Sequence, residues 1–122
     1  MDGAAVFTFG ITKGPRSISA LSEKFLINLD EIDYFVFHQA NKFMIEKIRK
    51  KIKVSPDKVP YSLDEFGNTS CSSIPLTMVT RLSNKLINEK LKFVTCAFGV
   101  GLSWGSIYFE TDGVICPEII MI

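Results

Sequence analysis

The sequence predicts an α/β fold, in which helices cover a mixed sheet that closes in an antiparallel hairpin. Three observations predict it. The apolar run Tyr34-Phe35-Val36-Phe37 reads as a strand buried on both faces, and it ends at His38, the only histidine in the chain. Two segments, near residues 42–53 and 72–89, repeat apolar residues at helical spacing. Two strand-like runs flank Gly99-Val100-Gly101.

The elements follow in order. Residues 3–12 suit either a short helix, through Val6, Phe7 and Ile11, or a strand, through Val6-Phe7-Thr8-Phe9. Gly14-Pro15 is expected to break whichever forms. From Arg16 a helix is expected, with Ile18, Leu21, Phe25 and Leu26 on one face, Ser17 as cap and Asn28 as stop. An acidic turn, Asp30-Glu31-Ile32-Asp33, leads into the strand 34–37. The next helix turns Phe43, Met44, Ile45, Ile48 and Ile52 inward and ends at Ser55-Pro56. A polar connection, 59–66, runs into Gly67-Asn68-Thr69-Ser70, where Thr69 or Ser70 is expected to cap a helix from Ser72 to Glu89. In that helix Ile74, Met78, Leu82 and Leu86 point inward, and Pro75 is tolerated in the first turn. Residues 93–98 and 102–110 form the closing hairpin, and the apolar tail from Val114 to Ile122 is expected to be an edge strand or a packed tail. Three strands make a thin sheet, since helix-covered sheets usually have about five.

Composition bounds the function. The chain has 122 residues, 47% hydrophobic and 22% charged, with a formal net charge of +1, which gives no general pull toward nucleic acid. No apolar run approaches the roughly 20 residues needed to span a bilayer, and the start Met1-Asp2-Gly3-Ala4 lacks the features of a signal peptide. Cys71, Cys96 and Cys116 match no zinc spacing, so no metal is expected, and reduced thiols in a cytoplasmic protein are.

Chemistry is expected just beyond the carboxyl ends of the strands. His38 sits there, with two roles open to it: a histidine satisfied by hydrogen bonds, or a donor or general base at a cleft mouth. Asn68 is either turn-and-cap chemistry or an amide at a helix entrance that donates to a substrate oxygen. Gly99-Val100-Gly101 is either a hairpin turn or a loop whose backbone N–H groups form an oxyanion hole. The helix at 42–53 carries Lys42, Lys47, Arg49, Lys50, Lys51 and Lys53 against Glu46 alone, either a solvated face or a docking surface for an acidic partner.

Taken in order, His38-Gln39-Ala40-Asn41, then Gly67-Asn68-Thr69-Ser70 thirty residues later, then Ala97-Phe98-Gly99-Val100-Gly101-Leu102-Ser103-Trp104-Gly105-Ser106 resemble the carboxyl-terminal part of β-ketoacyl-acyl-carrier-protein synthase III. The opening Met1-Asp2-Gly3 with Val6-Phe7 adds to the likeness, which covers roughly residues 1–110. The resemblance implies a partial thiolase-like half-domain, the carboxyl-terminal portion (1–122) of a condensing enzyme of fatty acid synthesis. That enzyme joins an acyl-CoA to malonyl-acyl-carrier protein with loss of carbon dioxide and needs no cofactor. It implies His38 and Asn68 as catalytic donors to the malonyl thioester, Phe98 as the aromatic residue beside them, and the Gly99–Val100 turn as active-site wall with Val100 N–H in the oxyanion hole. Acyl carrier protein and acyl-CoA are the implied partners, and the full-length protein is expected to be a homodimer.

The sequence departs from the family at Val100, where glycine is usual, at Phe43, where the carrier-docking arginine falls, and at Cys71, where a small residue is general. Lys42, Lys50 and Lys51 are the substitutes for the docking charge. The amino-terminal half with its nucleophilic cysteine, and the opening strand of the carboxyl-terminal half, are expected to be missing, leaving the isolated chain inactive in condensation. A non-decarboxylating acyltransferase of the same fold and a non-catalytic partner or carrier-binding module stay open as alternatives.

Overall fold

The computed structural model describes residues 2–122; Met1, with which the resemblance opens, lies outside the described residues. The strand expected at 34–37 forms as β1 (Tyr34–Phe37). It pairs in parallel with β2 (Lys90–Gly99), which pairs antiparallel with β3 (Ser103–Asp112), giving a sheet in the order β1-β2-β3. Phe35 and Phe37, with Val94, Cys96 and Phe98 of β2, face one buried cluster; Val36, Leu91 and Phe93 face another. β1 is thus buried on both sides, as a continuous apolar strand requires. Its ends are pinned to β2. Asp33 N–H donates to Lys92 O at 2.9 Å while Asp33 Oδ2 accepts from Lys92 N at 2.7 Å, and His38 N–H donates to Cys96 O at 2.9 Å.

The first cluster is covered by α1 (Gly3–Phe25) and α2 (Lys42–Lys51). The break expected at Gly14-Pro15 does not occur: α1 runs unbroken through both residues, and Ser17 is interior rather than a cap. Asp2 caps instead, its carboxylate accepting from Ala4 N at 3.0 Å and Ala5 N at 3.3 Å. Pro15 removes the N–H that would have bonded the Ile11 carbonyl, and Lys51 Nζ donates to that carbonyl at 3.0 Å. The glycines serve close approach. A Cβ on Gly10 would come within 2.8 Å of Met44 Sδ, and one on Gly14 within 3.1 Å of Ile48 Cδ1. Gly10 and Gly14 lie four apart on one face, so α2 packs directly on the α1 backbone. Tertiary contact here overrides local propensity. On β3, Ser17 Oγ meets Ser106 Oγ at 2.7 Å and the Phe9 ring meets Trp104 edge-on at 5.3 Å.

The end of α1 also departs from expectation. Leu26 takes a left-handed conformation and is 91% exposed, and Phe25 is exposed too. The inward contacts pass to Ile27 and Leu29, which pack on the first cluster. Asn28 is not the stop; its side chain accepts from Asp30 N at 3.0 Å and starts the short 3-10 turn Leu29–Glu31.

In α2, Met44, Ile45 and Ile48 are buried as expected, whereas Phe43 faces outward and stacks on Phe7. Asn41 caps the helix by accepting from Met44 N at 3.2 Å. The helix ends at Lys51, before Ser55-Pro56, where Lys53 turns left-handed and Arg49 Nη1 donates to Val54 O at 2.8 Å. Arg49 also grips Glu46 through Nη2 at 2.8 Å, and Tyr61 OH donates to Glu46 at 2.7 Å. The Arg49 hydrogen bond first, then that from Tyr61, holds the Glu46 carboxyl down at about 2.

The second cluster is covered by α4 (Ser73–Asn88), which follows the one-turn α3 (Leu63–Phe66). Leu82 and Leu86 are buried, while Ile74 and Met78 are half-buried at the cluster edge. The side-chain cap expected from Thr69 or Ser70 is absent. A 3-10 turn, Ser70–Ser72, leads into the helix, and the Thr69 hydroxyl makes no hydrogen bond. The hairpin strands are longer than expected because the ladder recruits polar Lys90 and Lys92, which hydrophobic periodicity passes over, and their turn lies at Val100–Leu102. The tail forms no strand. It is fixed by Val114 N–H to Leu86 O at 2.9 Å and by Cys116 against the second cluster, and Ile115, Ile120 and Met121 are exposed.

Gly14→Val should lower stability by about 1–3 kcal/mol through overpacking against Ile48, read as a lower urea midpoint with unchanged m-value. Because folding depresses the Glu46 pKa from 4.5 to about 2, the stability it contributes is complete above pH 4.5 and is lost as pH falls toward 2. Glu46→Gln should therefore flatten that part of the stability–pH curve.

Candidate active site

The carboxyl ends of β1 and β2 and the loop before α4 open onto one cleft of about 630 Å³. His38 enters it from the end of β1, Asn68 from the loop, and Phe98, Gly99 and Val100 from the end of β2. Three segments far apart in sequence are brought together by the parallel pairing of β1 with β2 and by the packing of α4 behind them. The five residues expected at the site therefore share one cavity.

His38 is half-buried, with its ring edge-on to Phe98 at a centroid distance of 5.7 Å. Its Nδ1 lies 2.8 Å from Ser73 Oγ. Burial pushes the imidazole below its ordinary pKa, opposed in part by the Ser70 backbone, and so favours the neutral ring at pH 7. A neutral imidazole has one N–H to donate and no net charge. Asn68 is exposed at the cleft, and its Oδ1 accepts from Ser70 N at 2.9 Å. With the oxygen occupied, the amide NH₂ is the group left for a ligand, and it makes no hydrogen bond among the described residues. Gly67, at φ 68°, makes the turn that precedes it, a backbone region open to glycine.

Val100 lies in the hairpin loop and is 74% exposed, with its side chain on the cleft wall. Cys71 lines the same cleft and is exposed, whereas Cys96 is buried in β2, where burial pushes its thiol pKa up. The basic residues of α2 do not form one free patch. Lys42 lies 3.6 Å from Asp64 and over the Tyr61 ring, Arg49 is held by Glu46, and Lys51 is held by the Ile11 carbonyl. Lys50 and Lys51 sit about 13 Å along the helix from Lys42, at 1.5 Å per residue.

Sequence reasoning missed the polar residues behind His38. Ser73, Thr77, Ser62 and Gln39 are all buried. Ser73 Oγ accepts from Gln39 N at 3.2 Å, Thr77 Oγ1 donates to Ser73 O at 2.7 Å, and Ser62 Oγ meets Thr77 Oγ1 at 2.6 Å. Ser62 N–H then donates to Gln39 Oε1 at 3.0 Å, and Gln39 Nε2 donates to Phe37 O at 2.8 Å. The available signal was a pair of small hydroxyl residues, Ser73 and Thr77, spaced four apart beside the apolar stripe of α4.

The fold is that of a thiolase-like domain. A 3-oxoacyl-(acyl-carrier-protein) synthase from Burkholderia xenovorans LB400 superposes with a TM-score of 0.93 at 38% identity, over 98% of this chain and 34% of that one. The Thermus thermophilus β-ketoacyl-(acyl-carrier-protein) synthase III superposes at 0.86 with 30% identity, over 93% of this chain and 36% of that one. The family model described as 3-oxoacyl-(acyl-carrier-protein) synthase III, C terminal, matches residues 23–111. The chain belongs to that family. It is 41% identical over 109 residues to the β-ketoacyl-(acyl-carrier-protein) synthase III of Streptococcus gordonii, and 38% identical over 108 residues to that of Lactococcus lactis subsp. cremoris. These matches cover 88% and 87% of this chain but only 34% and 33% of the relatives, so the chain spans about a third of their length.

In a pH titration followed by NMR, the single histidine should titrate below 6.5, the value from which burial lowers it.

Proposed function

We propose that this chain is the carboxyl-terminal portion of a longer β-ketoacyl-acyl-carrier-protein synthase III and supplies the decarboxylating side of its active site. The observation that carries the reading is the meeting of a neutral histidine, a free amide and a backbone turn in one cleft. The names carried by its relatives support a β-ketoacyl-acyl-carrier-protein product, and the family resemblance implies an acyl-CoA and a malonyl-acyl-carrier protein as the substrates.

The mechanism follows from where charge develops. A cysteine outside this chain first takes the acyl group from acyl-CoA and releases free CoA. When malonyl thioester enters, its C–CO₂⁻ bond breaks, carbon dioxide leaves, and the electron pair moves toward the thioester oxygen as an enolate. His38 Nε2–H and Asn68 Nδ2–H donate to that oxygen. Two neutral donors aimed at one developing charge lower the barrier without first binding the distal malonyl carboxylate, which must depart. The enolate carbon then attacks the acyl-cysteine carbonyl. Val100 N–H supports the tetrahedral oxyanion, and its collapse expels the cysteine thiolate and yields the 3-oxoacyl thioester. Phe98, edge-on to His38, keeps water from the enolate. Lys42 and Lys50 serve carrier-protein docking on this reading. Without the cysteine, the 122 residues alone do not condense.

In the full-length enzyme, His38→Ala and Asn68→Ala should each lower kcat for carbon dioxide release from malonyl thioester by about 10²–10³-fold, the worth of an oxyanion donor. Retention of release within tenfold of the parent in His38→Ala would overturn the reading. Acyl transfer with no carbon dioxide released by the parent would favour a non-decarboxylating transferase.

A further inference from the structure

The polar ring behind His38 has a consequence for which nitrogen of the imidazole carries the proton. Ser73 Oγ has two partners, Gln39 N at 3.2 Å and His38 Nδ1 at 2.8 Å. A backbone N–H can only donate, so it occupies a lone pair of the hydroxyl. The hydroxyl has one proton and a second lone pair, and Nδ1 is the only one of these partners able to accept the proton. Were Nδ1 protonated, it would take the second lone pair and leave the proton of a buried hydroxyl without an acceptor, which is costly. Full pairing therefore favours a bare Nδ1, and in a neutral ring the proton is then on Nε2.

We infer that Ser73 is a positioning residue that fixes His38 as the Nε2–H tautomer, leaving that N–H as the donor available to the cleft. The inference rests on the proposed role of His38 and assigns what sets the direction of its hydrogen bond. The rest of the ring holds Ser73 in place. Ser73 is only 1% exposed at the start of α4, and its carbonyl is bonded by Thr77, which meets Ser62. Ser62 in turn ties Gln39, whose backbone returns to the Ser73 hydroxyl. The circuit joins β1, the connection before α3, and α4, so all three must be in register for the hydroxyl to reach Nδ1. Fully satisfied buried networks of this kind rigidify their members.

The chain has one histidine, so its ring nitrogens are read without overlap in long-range ¹⁵N–¹H correlation spectra of the ¹⁵N-histidine-labelled 122-residue protein. At pH 8 the wild type should show Nε2 protonated and Nδ1 bare, with the minor tautomer below about a tenth. Ser73→Thr, which keeps a hydroxyl, should preserve that pattern, and Ser73→Ala should give a tautomer mixture. In the full-length enzyme Ser73→Ala should lower kcat for decarboxylation about five- to tenfold, near the worth of one hydrogen bond, with KM unchanged and activity restored in Ser73→Thr. A wild-type spectrum with Nδ1 protonated, or a Ser73→Ala spectrum identical to wild type, overturns the inference. Either result leaves the His38→Ala test of the proposed function intact, and full activity in His38→Ala would overturn that function without altering the tautomer result.

Discussion

β1 is four residues long, yet most of the molecule is arranged around it. Its alternating side chains fill two separate apolar clusters, one under α1 and α2 and the other under α4. A strand buried on both faces leaves no water for its backbone groups, so pairing must satisfy them. The parallel ladder with β2 does this along one edge, Asp33 and His38 extend it at either end, and Gln39 Nε2 takes the Phe37 carbonyl. Because β1 and β2 are locked in register, His38 and Phe98 emerge side by side. The placement of the catalytic candidates is a by-product of packing.

The boundary between core and cleft falls within two residues. Phe37 is buried in apolar contacts, while His38 and Gln39 open a polar circuit that passes through Ser73, Thr77 and Ser62. A buried polar group without a partner is costly, and every side chain in the circuit has one. The same atoms that close this account also hold the His38 ring. Core satisfaction and site geometry are therefore the same set of hydrogen bonds.

The helical layer over the first cluster shows how tertiary contact changes a local rule. Gly14-Pro15 carries strong breaking propensity, but in α1 the glycine lets Ile48 approach and the carbonyl orphaned by proline is taken by Lys51. Both compensations come from residues of α2 more than thirty positions further along. That use also removes Lys51 from the set of free basic residues, just as Glu46 removes Arg49. The basic count of the 42–53 segment overstates the charge that segment presents.

The sequence by itself determined β1, the inward faces of α2 and of the second half of α4, the closing hairpin, and the three motifs that meet at the cleft. Each of these is written locally, in apolar period, turn residues or short motif spacing, and each carries enough apolar side chain to keep its local preference. Tertiary structure alone decided the unbroken α1, the outward Phe25, Leu26 and Phe43, the missing cap at Thr69 and the strandless tail. It also decided the role of Ser73. A serine at a helix start reads as capping chemistry until the end of β1 is placed beside it, because a hydroxyl takes its direction from whichever partners the fold brings within reach.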